Sequence, residues 1–179
     1  MARTAQPVRL GDRPRGDVPD ANLLAMTTRS DYASDTGSID AIIHALYDVI
    51  SGPAGPRDWA RERHLFHPQA RLMRGEPSGT PELRVFTPEE FIAFAKARVQ
   101  PTDFYEWEIG REEFRFGRWA HVASSYETRA GADQPPHSRG INSIQLWFEA
   151  GRWWIMNLIW DWERPDLPIP QHLDGPPRK

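Results

Sequence analysis

Asn142-Ser-Ile-Gln-Leu-Trp-Phe-Glu-Ala-Gly-Arg-Trp-Trp-Ile-Met-Asn-Leu-Ile-Trp-Asp-Trp-Glu163 holds five of the chain's eight tryptophans and reads as two aromatic strands joined by a tight Glu149-Ala150-Gly151-Arg152 turn. Aromatic and β-branched side chains suit a pleated, half-buried surface, and glycine supplies the positive φ that a short hairpin needs. In the second strand both alternating phases are apolar: Trp153, Ile155 and Ile159 in one, Trp154, Met156, Leu158, Trp160 and Trp162 in the other. Both faces of the sheet therefore need cover. Helices of the same domain can cover one, and the other is expected to meet a second copy of the chain.

Upstream of that hairpin the hydrophobic period changes from 3.6 to 2. Residues 104–116, 119–129, 139–149 and 152–162 form consecutive strands, with tight turns at Gly117 and Gly151 and a longer loop from Gly131 to His137. Before them, Ile39, Ile42, Ile43, Leu46, Tyr47 and Ile50 recur at helical spacing behind a Ser38 cap and stop at Ser51-Gly-Pro-Ala-Gly-Pro56. A short second helix fits Arg57 to Phe66, and Thr87-Pro-Glu-Glu90 is a capping box that starts a third helix ending near Val99. Ala70 to Met73 and Leu83 to Phe86 read as short strands between the last two helices. Helices followed by a long antiparallel meander make an α+β domain.

With 179 residues, 39% of them hydrophobic, the chain can bury one sizeable core. Its net charge of −3, with no sustained basic face, argues against a nucleic-acid partner. The lack of cysteine excludes disulfides, thiolate nucleophiles and thiolate-held metals. Residues 1–35 carry only Leu23-Leu24-Ala25-Met26 as an apolar patch and read as a mobile tail, with no signal peptide or membrane span. Residues 36–163 are the folded domain, and 164–179, rich in proline, are an extended strap that Leu167, Ile169 and Leu173 can pin. A cytoplasmic location is expected.

The first helix, the Leu65-Phe-His-Pro-Gln-Ala70 turn, the capped third helix and the final Gly-Arg-Trp-Trp-Ile hairpin together resemble the nuclear transport factor 2-like superfamily, near its SnoaL-like polyketide cyclase and ketosteroid isomerase branches. The resemblance spans roughly residues 36–173. It implies a cone, in which a curved antiparallel sheet wraps three helices and opens at one end to an apolar cavity, and it implies a homodimer through the outer face of the sheet. It does not carry a mechanism. Ketosteroid isomerases place a tyrosine and two acidic groups where this chain has Leu46, Arg74 and Ile144, none of which can hold an enolate or move a proton.

Candidate site residues follow from phase. Ile144, Leu146 and Phe148 should face the helices, which puts Asn142 in the same phase nearer the open end. Leu46, Tyr47, Phe66, Tyr126, Asn142, Ile144, Asn157 and Trp160 are the expected pocket residues. Asn157 depends on its strand turning Ile155 and Ile159 inward; a bulge near Ile155 would exchange it for Leu158 or Trp160. Asp161 is the candidate acid or base, raised in pKa if Trp160 and Trp162 bury it; exposed and paired with Arg164, it is inert. Glu62, His64 and His67 have a metal-like spacing, but Pro68 ends any helix there and separates the rings, so no metal is expected. His121 should lie outside the cavity, and His44 beside the polar edge of the first helix. No phosphate loop, dinucleotide fingerprint, nucleophile elbow or calcium loop occurs, so no cofactor is expected. Two functions fit these residues. One is a cofactor-independent lyase, isomerase or cyclase acting on a small hydrophobic molecule; the other is a non-catalytic binding or dimerisation module.

Overall fold

A computed structural model describes residues 32–75 and 82–178. Most of the expected tail, residues 1–31, lies outside the described residues, as does the loop at 76–81. Ala33–Thr36 form a 3-10 turn. Helix α1, Ile39–Ile50, starts where the Ser38 hydroxyl accepts from the Ala41 amide, and it buries Ile39, Ile42, Ile43, Ala45, Leu46, Tyr47 and Val49. Helix α2, Trp59–Leu65, is capped by Asp58 and is shorter than the sequence pattern predicts. Phe66 has already turned extended to begin a strand. Helix α3, Pro88–Val99, carries the expected capping box: Glu90 accepts from the Thr87 amide while its own amide donates to the Thr87 hydroxyl.

Six strands make one curved, unclosed sheet: β1 (Phe66–Arg74), β2 (Arg84–Phe86), β3 (Tyr105–Phe116), β4 (Trp119–Arg129), β5 (Ser138–Glu149) and β6 (Arg152–Trp162). Their order is β2-β1-β6-β5-β4-β3. Every pairing is antiparallel except β1 with β6, which run parallel. The turn expected at residues 65–70 is instead an irregularity inside β1, between its pairings at Phe66 and Arg71; Pro68, which has no amide hydrogen to give to a ladder, sits there. The β5–β6 turn uses left-handed backbone at both central residues, Ala150 (φ 51°) and Gly151 (φ 80°), the geometry that matches strand twist.

Helix α1 packs on the inner face of the sheet, against Ala120, Val122, Ile144, Leu146, Trp153 and Ile155. Two bulges decide what else faces inward. In β6 the register shifts so that Asn157 pairs with Gln145 while Ile155 pairs with Leu146, leaving Met156 as the extra residue. The inner phase therefore passes from Trp153 and Ile155 to Leu158, Trp160 and Trp162. In β3 the shift at Ile109 sets Ile109 and Gly110 together on the outer face and returns Arg111 inward.

Residues 164–178 form a strap along that outer face. Ile169 and Leu173 are buried with Ile109, and Ile141 packs against them; Leu167 stays exposed. The Ser125 hydroxyl donates to the Leu173 carbonyl, and the Arg178 amide donates to the Glu108 carbonyl. Gly110 makes this approach possible, since a Cβ there would lie 2.1 Å from the Leu173 oxygen. Replacing Gly110 by Ala is expected to expel the strap and cost about 1–3 kcal/mol. Thermal unfolding should show a fall of several degrees, with faster cleavage within residues 165–178 by a nonspecific protease; an unchanged melting temperature would mean the strap contributes nothing to the fold.

Candidate functional site

Between the three helices and the wide end of the sheet lies a cavity of about 400 Å³. Phe91 and Phe94 of α3, Phe104, Leu158, Trp160 and Trp162 supply apolar walls; Glu62, Glu106, Tyr126, His137 and Asn142 are polar members, with Arg74 and Arg98. Phe91 meets Trp160 edge-on at 6.0 Å between centroids, which ties α3 to β6.

Glu62 points inward because its neighbour is anchored outward. Arg61 Nε lies 2.7 Å from Asp35 and its Nη1 2.5 Å from Asp48 on α1. Successive helix residues diverge by about 100°, so this clamp turns Glu62 under the domain. Glu62 is fully buried, and neither of its carboxylate oxygens has a hydrogen-bond partner among the described residues. Burial, and then the charge of Glu106, push its carboxyl up to about 8. Glu106 reaches the same cavity from β3, held by Ser51 at the end of α1, whose hydroxyl bonds both its amide and its carbonyl. Glu106 is partly accessible and lines the cavity, and desolvation pushes it up to about 8 as well.

A directed hydrogen-bond chain backs the cavity. Arg111 donates twice to Glu108, which accepts from the Ser124 hydroxyl at 2.6 Å. Ser124 therefore accepts from Tyr47, 2.7 Å away, and Tyr47 in turn accepts from Asn142 Nδ2 at 3.0 Å. The direction of the chain leaves Asn142 Oδ1 as the acceptor that remains for the cavity. Burial raises the Tyr47 phenol far above its ordinary value, so it stays protonated and structural. Tyr126 is raised in the same way, also chiefly by burial, and remains a donor. Its hydroxyl lies over Gly140, where a Cβ would come within 2.5 Å.

The residues expected from sequence divide. Leu46, Tyr126, Asn142 and Trp160 line the cavity. Phe66 and Ile144 are buried in the core beneath it, and Tyr47 stands behind Asn142, where it borders a second recess with Asp40, His44 and Glu108. Asn157 lies on the outer face, donating to Gln145 at 2.9 Å, because the Met156 bulge exchanged its phase for that of Leu158 and Trp160. Asp161 is exposed and pairs with Arg164 at 2.8 Å, outside the cavity. His64 and His67 part company: His64 bonds Arg152, and His67 lies edge-on to Trp154. His121 bonds Ser143 across the ladder. No group of three or more His, Cys, Asp or Glu among the described residues could hold a metal ion. The sequence marks Glu62 only by its spacing to His64 and His67, and Glu106 not at all: charged residues on a short helix and on an edge strand ordinarily face water.

No family model and no curated protein matches the chain. Solved structures do. An NTF-2 like protein of unknown function from Silicibacter pomeroyi DSS-3 superposes with a TM-score of 0.52 at 16% identity, over 76% of this chain and 98% of that one. The chain has the nuclear transport factor 2-like fold. A Kribbella flavida protein is similar with a TM-score of 0.56 at 11% identity (78% and 93% covered), and a candidate ketosteroid isomerase from Parabacteroides distasonis ATCC 8503 with 0.51 at 13% (72% and 90%).

In this nuclear transport factor 2-like cone the buried carboxyls link stability to pH. Unfolded glutamate ionises near 4.5 and the folded groups near 8, so between these values the folded state binds more protons and stability falls as pH rises, levelling above about 8. Glu62→Gln cannot ionise. Its melting temperature should decline less than that of the parent between pH 5 and 9; parallel declines would show that Glu62 is not held protonated.

Proposed function

We propose that the cavity binds a small, largely apolar molecule and moves a proton on it without a cofactor, as a lyase, isomerase or cyclase of SnoaL-like or ketosteroid isomerase-like kind. The observation that supports this most is the pair of carboxyls, both pushed up to about 8, in one apolar cavity. In this reading Glu106, the more accessible of the two, is the base through its ionised fraction. It takes a proton from carbon next to a carbonyl, while Glu62 supplies one to the carbonyl oxygen and Tyr126 donates that oxygen a hydrogen bond, leaving an enol that takes a proton back at carbon or expels a β leaving group as it gives up its O–H proton. A buried carboxyl without a partner is suited to such an oxygen, and Asn142 Oδ1 to a substrate hydroxyl. Ketosteroid isomerases use a comparable division of labour at other positions, so the chemistry would be shared and the residues different.

Exchange of the acidic C1 hydrogens of 2-tetralone in D2O, followed by proton NMR, tests this. The protein should accelerate exchange above buffer, and Glu106→Gln should reduce that acceleration by about 10²-fold or more with the fold intact. Exchange no faster than buffer across a panel of such ketones would favour a binding module.

We further propose a homodimer through the outer face, and a cytoplasmic protein. Phe114, Phe116, Trp119 and Trp147 are exposed on neighbouring strands beyond the strap, and the Trp119 ring contacts both phenylalanines. Such a patch on a monomer favours association. No helix among the described residues is long and apolar enough to cross a membrane. Sedimentation at micromolar concentration should report a dimer that Trp147→Glu converts to a folded monomer; a monomeric parent chain refutes the interface.

A further inference from the structure

We propose that the cavity selects hydroxylated carbonyl compounds: Asn142 Oδ1 accepts from a ligand hydroxyl while Tyr126 donates to the ligand carbonyl, and Ser124 and Tyr47 are positioning residues that fix which end of the Asn142 amide the ligand meets. This rests on the reading of the cavity as a binding site and adds the chemical class of what it binds.

The polarity of the amide is imposed from outside the cavity. Arg111 holds the buried Glu108 in a fork through Nε and Nη2, each at 2.8 Å, and an ion-paired carboxylate can only accept. The Ser124 hydroxyl, 2.6 Å from Glu108, therefore points its one proton there and has only lone pairs for Tyr47, 2.7 Å away. Tyr47 in turn points its proton at Ser124 and has only a lone pair for Asn142, so the atom that faces it at 3.0 Å is Nδ2. Turning the amide over would set Oδ1 against that lone pair. Ser124, Tyr47 and Asn142 are all buried, so bulk water does not relieve such a mismatch.

The acceptor so fixed stands beside an aromatic wall and a donor. Asn142 lines the cavity, and its Oδ1 is neither bonded to a described residue nor sealed beneath one. Asn142 pairs directly with Trp160 across the β5–β6 ladder, so a ring lying on Trp160 brings its edge within about one cross-strand spacing, ~5 Å, of the amide. Gly140 lies two residues away on the same face of β5, about 7 Å along the strand, and the Tyr126 hydroxyl sits over it. One wall thus offers an acceptor and a donor a few ångström apart, the complement of a hydroxyl and a carbonyl on one small skeleton. A methyl ether in place of that hydroxyl sets lone pairs against Oδ1 and leaves the acceptor unmet, while its apolar body gains the same walls.

Equilibrium dialysis of the full chain tests this with the hydroxy-2-tetralones that carry the group at each aromatic position, each against its methyl ether; a pair shares the ketone and differs in the donor. At least one hydroxyl compound should bind about fivefold or more tightly than its ether. Tyr47→Phe keeps the ring in the core but frees the amide to turn, and should bring that ratio below about twofold. Ser124→Ala leaves the Tyr47 proton for Asn142 Oδ1 and should do the same. A role in packing alone would move both affinities together and leave the ratio unchanged. Ratios near unity for every pair in the parent chain, or a ratio that survives in either folded variant, overturn the inference while the cavity reading stands, since the compounds bind. If none of them binds, the cavity reading itself fails and this inference with it.

Discussion

The β-bulge at Met156 is the feature on which the rest of the architecture turns. β6 lies between β1 and β5 and is apolar in both phases, so a regular strand would commit one phase entirely to the helices and the other entirely outward. One extra residue lets the strand use both: Trp153 and Ile155 enter the core beneath α1, and Leu158, Trp160 and Trp162 face inward beyond it. A bulge also sharpens local twist, which helps a sheet bend around helices too short to fill it. The helices fill the narrow end, and the wide end remains a cavity walled by the second set of aromatics.

That cavity has an unusual electrostatic character. Its acidic residues are charged by formula but are kept neutral by the surrounding phenylalanines and tryptophans, whereas its arginines remain cationic. The arrangement costs stability at high pH, because the folded state resists an ionisation that the unfolded chain accepts. The fold tolerates this strain through the clamp of Arg61 on Asp35 and Asp48, which leaves α2 little freedom to rotate Glu62 into solvent. The directed chain from Arg111 to Asn142 meets the opposite requirement. From Arg111 to the Asn142 amide nitrogen each donor meets an acceptor, so Asn142 is held in one orientation with its Oδ1 left to the cavity.

The outer face is divided between two covers. At one end the strap occupies the groove over Gly110 and Ser125, burying Ile169 and Leu173 against Ile109. At the other, around the β3–β4 turn, the Phe114, Phe116, Trp119 and Trp147 side chains stay exposed. The bulge at Ile109 joins the two sides of the sheet physically: it sets Gly110 beside Ile109 under the strap and brings Arg111 inward beside Glu108, which Ser124 also binds.

Local pattern was sufficient for the elements. The Ser38 and Thr87 caps, the helical spacing of Ile39 to Ile50 and the alternation of the last four strands place helices and strands within a few residues of where they lie, because caps and periodicities are properties of neighbouring residues. Leu46, Tyr126, Asn142 and Trp160 were legible for the same reason: each shares a phase with apolar neighbours. Glu62 and Glu106 were not, since a carboxylate carries no local mark of burial. Asn157 and Asp161 were decided by one inserted residue, and no periodicity announces an insertion. The sequence by itself thus determined which segments are helix and strand and that both sheet faces need cover. Tertiary packing alone decided which acids are stripped of water, because desolvation is set by atoms far apart in the chain.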